Sequence, residues 1–225
     1  VNQLGTGGDA TTGESTPQHV ALLTSNPDYG VRAVATGGSH TCAISTGNTV
    51  WCWGSDTNGE LGKGGSGSDD SVPDHASFGG DNHGHGAAIG IALGSQHSCA
   101  AFEDGSVYCW GDNTYGQLGL GDWDNRSSPT QVDLGDGNSA ASIAAGDWHT
   151  CALLDDGSAT CWGRNDDGQL GDLSTTNRST PATVAYFTGF ASISAGARHT
   201  CASQSDMDLY CWGDNDDNQL GHSGN

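Results

Sequence analysis

An all-β β-propeller is the architecture this sequence predicts, and three observations predict it. Nearly the same phrase occurs four times, with its first cysteine at Cys42, Cys99, Cys151 and Cys201. The steps are 57, 52 and 50 residues, the length of a four-stranded blade rather than of a helical repeat. The chain of 225 residues holds 37 Gly and only 34% hydrophobic residues, which suits many short strands joined by turns and not long helices. Apolar residues at helical spacing are absent throughout.

The third unit shows the elements in order. Residues 140–146 (AASIAAG) read as a small, apolar first strand suited to the crowded inner edge of a propeller. Residues 149–154 (HTCALL) and 158–163 (SATCWG) read as a hairpin. A polar loop, RNDDGQLG, comes next, then Pro181 and a fourth strand over 182–187 (ATVAYF). The repeat units centre on hairpins 40–54, 97–111, 149–163 and 199–213 of a single region, 1–225, and residues 62–86 read as a flexible, Gly- and Ser-rich insert.

The hairpin turn fixes the cysteine register. Cys151 and Cys161 are symmetric about Asp156, which leaves the three-residue loop Asp155-Asp156-Gly157. Such loops want a type I turn followed by a left-handed residue, which Gly supplies without steric cost. Gly105 fills the place in the second unit and Asn48 in the first, whereas the fourth has Met207, so a distorted turn is expected there. With Leu154 and Ser158 closing the loop, Cys151 faces Cys161 at a non-hydrogen-bonded position, where Cα atoms lie about 4.5 Å apart, within disulfide reach. The predicted bridges are Cys42–Cys52, Cys99–Cys109, Cys151–Cys161 and Cys201–Cys211. Zinc is the alternative, but facing thiols on one hairpin do not by themselves enclose a tetrahedral ion. Bridges imply an oxidising compartment, extracellular or at the cell surface.

Charge narrows the partners. The chain carries 27 acidic residues against six basic ones, net −21. Such a surface repels phosphate backbones and anionic bilayers, so neither nucleic acid nor a membrane surface is an expected partner. No apolar run nears the ~20 residues that span a bilayer, so membrane insertion is not expected. A cationic partner or a divalent cation suits the surface.

The phrase GDWHTCALLDDGSATCWGRNDDGQLG…STP resembles the regulator-of-chromosome-condensation repeat in its bacterial secreted form with paired cysteines. The pattern G-x-x-H-[ST]-x-A, then G-x-[VLA], then W-G-x-[ND]-x-x-G-[QE]-L-G runs through essentially the whole chain. The resemblance implies a propeller, commonly seven-bladed, and a role in protein–protein interaction, from nucleotide exchange on a small GTPase to inhibition of secreted enzymes. Two departures matter. There are four hairpin units rather than seven, and the basic surface that a chromatin-bound member would use is missing. No residues map to exchange activity, so it does not carry over.

The ends repeat each other. Asn2-Gln3-Leu4-Gly5 matches Asn218-Gln219-Leu220-Gly221, which reads as a window on a longer array, and the start at Val1 inside a motif reads as a mature or trimmed product. A partial propeller leaves two bare blade faces, which favours self-association head to tail, in a filament or assembly.

The remaining candidates are weighed residue by residue. His40, His97, His149 and His199 recur one per blade and are expected to hydrogen-bond into the neighbouring blade, because a ring keeps them far apart and no second ligand repeats beside them. Trp53, Trp110, Trp162 and Trp212 sit on the strand face opposite the bridges and read as inter-blade packing. Trp51, Trp123 and Trp148 do not recur and are the binding candidates. Asp214, Asp216 and Asn218, with Asn165 and Asp167, offer oxygens at alternate positions for calcium, although neither loop carries the helix–loop–helix signature in register and hydrated Asx-turns explain them as well. Calcium is therefore the one candidate cofactor. Asn125 and Asn177 head glycosylation sequons. His75, His83 and His85 of the insert offer a weak transition-metal site. No catalytic residue stands out. The expected function is an extracellular, non-catalytic protein-binding or assembly module, and the alternative is a secreted lyase or hydrolase with a site in the propeller channel.

Overall fold

The structure, a computed structural model, describes residues 30–65, 67–78 and 85–221, together with 3–7, 14, 16 and 18–20. Strands β1 (Val31–Thr36), β2 (His40–Ser45), β3 (Val50–Gly54) and β4 (Asp70–His75) form the first antiparallel sheet. β5 (Ala88–Leu93), β6 (His97–Phe102), β7 (Val107–Gly111) and β8 (Arg126–Gln131) form the second. β9 (Ala140–Ala145), β10 (His149–Leu154), β11 (Ala159–Gly163) and β12 (Arg178–Thr183) form the third. Among the described residues the fourth sheet has three strands only, β13 (Phe190–Ala195), β14 (His199–Gln204) and β15 (Leu209–Gly213). Each sheet is a meander in chain order, and the first strands adjoin in the sequence β1, β5, β9, β13. Each sheet is thus one blade of a propeller arc.

Two sequence expectations are corrected. The fourth strand of the third blade runs over Arg178–Thr183, not 182–187. Pro181 lies inside it because an outer strand needs no N–H on its solvent side and the ladder breaks register between Cys161 and Gly163. The insert 62–86 likewise contains β4, in which Pro73 holds the same place; part of that stretch, including His83, lies outside the described residues.

The hairpins obey the turn chemistry, with one surprise. Asn48, Gly105 and Gly157 take positive φ of 63°, 81° and 79°, and their amides donate to Ser45, Phe102 and Leu154 carbonyls at 3.0, 2.9 and 2.9 Å. Met207 does not distort the fourth turn. It adopts φ 78° and closes on the Gln204 carbonyl at 3.1 Å. The side chain is 92% exposed, so nothing it packs against offsets the left-handed backbone. Met207→Gly is expected to stabilise the chain by about 1 kcal/mol, a rise in Tm of roughly 2–4 °C for a domain of this size, measurable by calorimetry.

Cysteines face one another in every hairpin: Cys42↔Cys52, Cys99↔Cys109, Cys151↔Cys161 and Cys201↔Cys211. All four pairs are bonded, with Cα atoms 4.1 Å apart. The core lies between blades rather than within them. Cys42 and Cys52 pack with Phe102 and Trp110 of the next blade. Cys99 and Cys109 pack with Leu154 and Trp162, and Cys151 and Cys161 with Phe190 and, at its edge, Trp212. Burial falls off at the last blade: β10 and β11 are buried throughout, whereas β14 is half-buried and Leu209 of β15 is 68% exposed.

Candidate binding face

The recurring His and Trp form a clasp between blades. Trp110 Nε1 donates to the Glu60 carbonyl at 2.7 Å, and Trp162 and Trp212 donate to the Gln117 and Gln169 carbonyls, each at 2.9 Å. The same carbonyls accept from the hydroxyls of Ser98, Thr150 and Thr200 at 2.9 Å. Because each hydroxyl proton goes to the carbonyl, its oxygen accepts from the preceding blade's imidazole: His40 Nε2 to Ser98, His97 Nε2 to Thr150 and His149 Nε2 to Thr200, all at 2.9 Å. The rings are therefore neutral, with the proton on Nε2. Burial lowers His40 to about 4, His97 to about 3 and His149 to about 4. Gly119, at φ 74°, lies under the Trp162 indole, where a Cβ would come within 2.8 Å of Nε1. These residues hold blades together, and the one polar atom left over in each buried ring of His40, His97 and His149 is Nδ1.

The polar loops after β3, β7, β11 and β15 close on themselves in one way, with Asp56, Asn113, Asn165 and Asn215 Oδ1 each accepting from the amide five residues on. Asn165 is fully buried, and its Oδ1 accepts from the Leu170 amide at 3.0 Å. Its amide nitrogen donates to Asp172, Ser174 and Thr176 oxygens. Asp167 and Asp214 pair with Arg198 at 3.4 and 2.6 Å, and Asp216 reaches the same guanidinium at 4.0 Å. Asn218 sits in a turn at φ 61°. The structure thus engages the five calcium candidates in loop closure and ion pairs, and among the described residues no three His, Cys, Asp or Glu side chains gather as a metal site. The sequon residues have loop roles as well, since Asn125 and Asn177 Oδ1 accept from the Asn113 and Asn165 amides at 2.8 Å. Glu60 and Asp56 are buried in the first loop, and burial raises both carboxyls above their ordinary range.

The non-recurring aromatics divide. Trp51 is buried and lies 3.6 Å from the His75 ring. Trp123 is 50% exposed in the loop between β7 and β8. Trp148, half-buried before β10, meets Tyr115 edge-on at 5.6 Å, and the Arg164 guanidinium lies 5.4 Å from the Tyr115 ring centre. Leu173 holds the place of Gly121 in the next blade, at φ 64° against 85°, and is 69% exposed. All these loops leave the same ends of their strands, so the arc has one face bearing aromatic and aliphatic side chains among carboxylates. On the opposite ends, His85 bridges Asp104 at 3.3 Å and the Tyr108 hydroxyl at 3.0 Å. Tyr108 lies on the third strand of its blade, outward from the first strands that border the axis, so this relay is not a channel site.

Comparison with known proteins agrees with this geometry. The sequence model of the RCC1-like domain matches residues 1–225. The chain is 36% identical over 157 residues to the human E3 ubiquitin-protein ligase HERC2, covering 70% of this chain and 3% of that protein. It is 35% identical over 164 residues to the ultraviolet-B receptor UVR8 of Arabidopsis thaliana, covering 72% of this chain and 36% of the receptor. Among solved structures, yeast RCC1 (Prp20) in its complex with Kap60 superposes with a TM-score of 0.70 at 26% identity, over 81% of this chain and 43% of that one. Human WBSCR16 superposes with a TM-score of 0.76 at 24% identity, over 87% and 50%. The chain spans half or less of each of these proteins. With its four H-[ST]-C…C-W-G blades and a match along its whole length, the chain belongs to the RCC1-like domain family.

Proposed function

We propose that this chain is a non-catalytic protein-binding module of an extracellular or cell-surface compartment, and that it docks a partner through the loop face bearing Trp123, Trp148 and Tyr115. The carrying observation is that face: exposed or half-exposed aromatics, the residues that anchor protein interfaces, set in the surface of a chain with net charge −21. A partner with basic residues around an apolar patch fits it. The oxidising compartment is supported by four disulfides and no free cysteine among the described residues. The binding role is also supported by relatives that share the blades, one of them solved with Kap60 bound.

The test is affinity capture from the exported fraction of the native source, with the unaltered chain and Trp123→Ala/Trp148→Ala as paired baits. The unaltered chain should retain a partner that dissociates at high salt, and the variant should bind it at least roughly tenfold more weakly. Equal capture by both baits would remove the loop face from consideration.

A further inference from the structure

Three interfaces join the four blades, and away from the axis two of them are filled by aromatic rings while the middle one is not. The third strands show the difference. Tyr108 and Tyr210 stand opposite Ala100 and Ala202 in their hairpins, whereas the residue opposite Ala152 is Thr160. The connections between blades repeat it. Phe78, from the β4–β5 connection, meets the rings of Phe102, Tyr108 and Trp110 edge-on at 5.3, 5.7 and 5.7 Å. Phe187, from the β12–β13 connection, lies 4.1 Å from the Tyr210 ring. Between the second and third blades the β8–β9 connection supplies Leu134 instead, at the edge of a cluster that holds Leu154 and Trp162. Leu154 itself ends β10 where Phe102 ends β6.

Smaller side chains at these places leave a cavity of about 510 Å³, lined by Leu134, Leu154 and Thr160 together with Asp133, Thr180 and Thr183. The size lies within the range of small-molecule sites, about 300–1,000 Å³. None of the described residues that line it is aromatic. The two leucines give it apolar walls, and the three threonines bring hydroxyls to it. Asp133 stands exposed at the rim, and the Gly135 amide orients its carboxylate by donating to Oδ1 at 2.9 Å. Walls without partner atoms forgo dispersion contacts that a ring between the blades would supply, as Phe78 and Phe187 do at the other two interfaces.

We infer that the cavity between the second and third blades binds a small cationic aromatic molecule, its ring standing where Phe78 and Tyr108 stand one interface earlier and its ammonium group at Asp133. The chain's own filled interfaces define the ring as the shape that fits between blades here. The threonine hydroxyls select a ring that carries a hydroxyl, since such a group pairs with them and a bare phenyl does not. The charge of the ligand follows from the rim. Asp133 is shared with an adjoining hollow that Asp104 also lines, and the chain carries a net charge of −21, so an anionic ligand is repelled and a cationic one attracted. Ser158, beside the Asp155–Gly157 turn, lines the cavity as well. The site therefore lies toward the hairpin turns, away from the loop face of Trp123 and Trp148.

The experiment is a titration of the 225-residue chain with tyramine, followed by calorimetry and by methyl NMR. The expected result is saturable binding of one molecule per chain, with a Kd on the order of 1 mM or tighter and methyl shifts centred on Leu134, Leu154 and Thr160. Thr160→Tyr gives the third blade the side chain that Tyr108 and Tyr210 give theirs. It should weaken binding at least about tenfold by filling the cavity, with a Tm equal to or above that of the unaltered chain. Asp133→Asn, an exposed change, should weaken tyramine about two- to fivefold and leave the binding of p-cresol, which lacks the ammonium, unchanged. The methyl map and Asp133→Asn test the site even if Thr160→Tyr does not fold. No saturable binding up to ~10 mM tyramine, methyl shifts centred elsewhere, binding that survives Thr160→Tyr, or an Asp133→Asn chain that holds tyramine as tightly as before would each overturn the inference.

Discussion

Lowering the pH from 7 to about 4.5 is expected to remove roughly 6–8 kcal/mol of folding stability through three histidines. His40, His97 and His149 are buried and neutral, with folded pKa values of about 4, 3 and 4 against 6.5 in the open chain. A base with a depressed pKa stabilises the fold fully above its unfolded value and progressively less as pH falls towards the folded one. At about pH 4.5 the unfolded chain has bound a proton at each site and the folded chain has hardly done so, a difference of about 2–3 kcal/mol per histidine. The ring has no outlet for the added proton: Nδ1 of all three lacks a hydrogen-bond partner. Domains are stable by ~5–15 kcal/mol in total, so acid unfolding in this window is expected. The Asp172 carboxyl adds to the loss at lower pH. Its burial would raise it, but hydrogen bonds from Ser174 and Arg178 outweigh that and hold it low. Asp56 and Glu60, raised by burial, act in the opposite direction. The histidine contribution is separable by counting protons. Near pH 5.5, unfolding should take up one more proton in the unaltered chain than in His97→Gln, as read from the pH dependence of the urea midpoint at high salt. Identical slopes would show that His97 is not held neutral.

Much of this was legible in the residues. Asp155-Asp156-Gly157 fixes the hairpin and hence the facing of Cys151 and Cys161, because a three-residue turn admits one register. The fourth strand was misplaced because Pro181 reads as a breaker ahead of a strand, whereas an outer edge strand accepts it. Met207 was misjudged for a related reason: the flanking strands and the bridge impose the turn, and local preference yields. The histidine network was half visible. The sequence places His149 against a neighbouring blade, but its partner Thr200 is 51 residues away. The signal for it was present, since Ser or Thr comes directly after the histidine in every unit. The acidic loops admit two readings in sequence because Asx side chains that close a loop on itself have the same spacing as those that surround a cation. Tyr115 and Arg164 escaped notice because the contacts of Tyr115 with Trp148 and with the Arg164 guanidinium exist only once two blades are docked.

Trp162→Ala is expected to cost about 3–5 kcal/mol. The side chain is fully buried, its Nε1 donates to the Gln117 carbonyl at 2.9 Å, and its ring covers Gly119. That carbonyl keeps its bond from Thr150, so the loss is mainly packing and the cavity left behind. Trp123→Ala, at an exposed position, should change stability by less than about 0.5 kcal/mol. The sharper consequence lies in coupling. Trp162 belongs to the blade stapled by Cys151–Cys161, yet it packs with Cys99 and Cys109 of the preceding blade, whereas Cys151 and Cys161 pack with the next blade. Alternation of side chains across the strand sends the bridge and the indole to opposite faces. Replacing Cys99 and Cys109 by Ala should therefore be non-additive with Trp162→Ala, with an interaction energy of at least about 0.5 kcal/mol, while replacing Cys151 and Cys161 should add to it more nearly independently. Chemical denaturation of the singles and combinations decides the matter. Stronger coupling of the indole to the bridge of its own hairpin would mean that blades, not the layers between them, are the cooperative units of this fold.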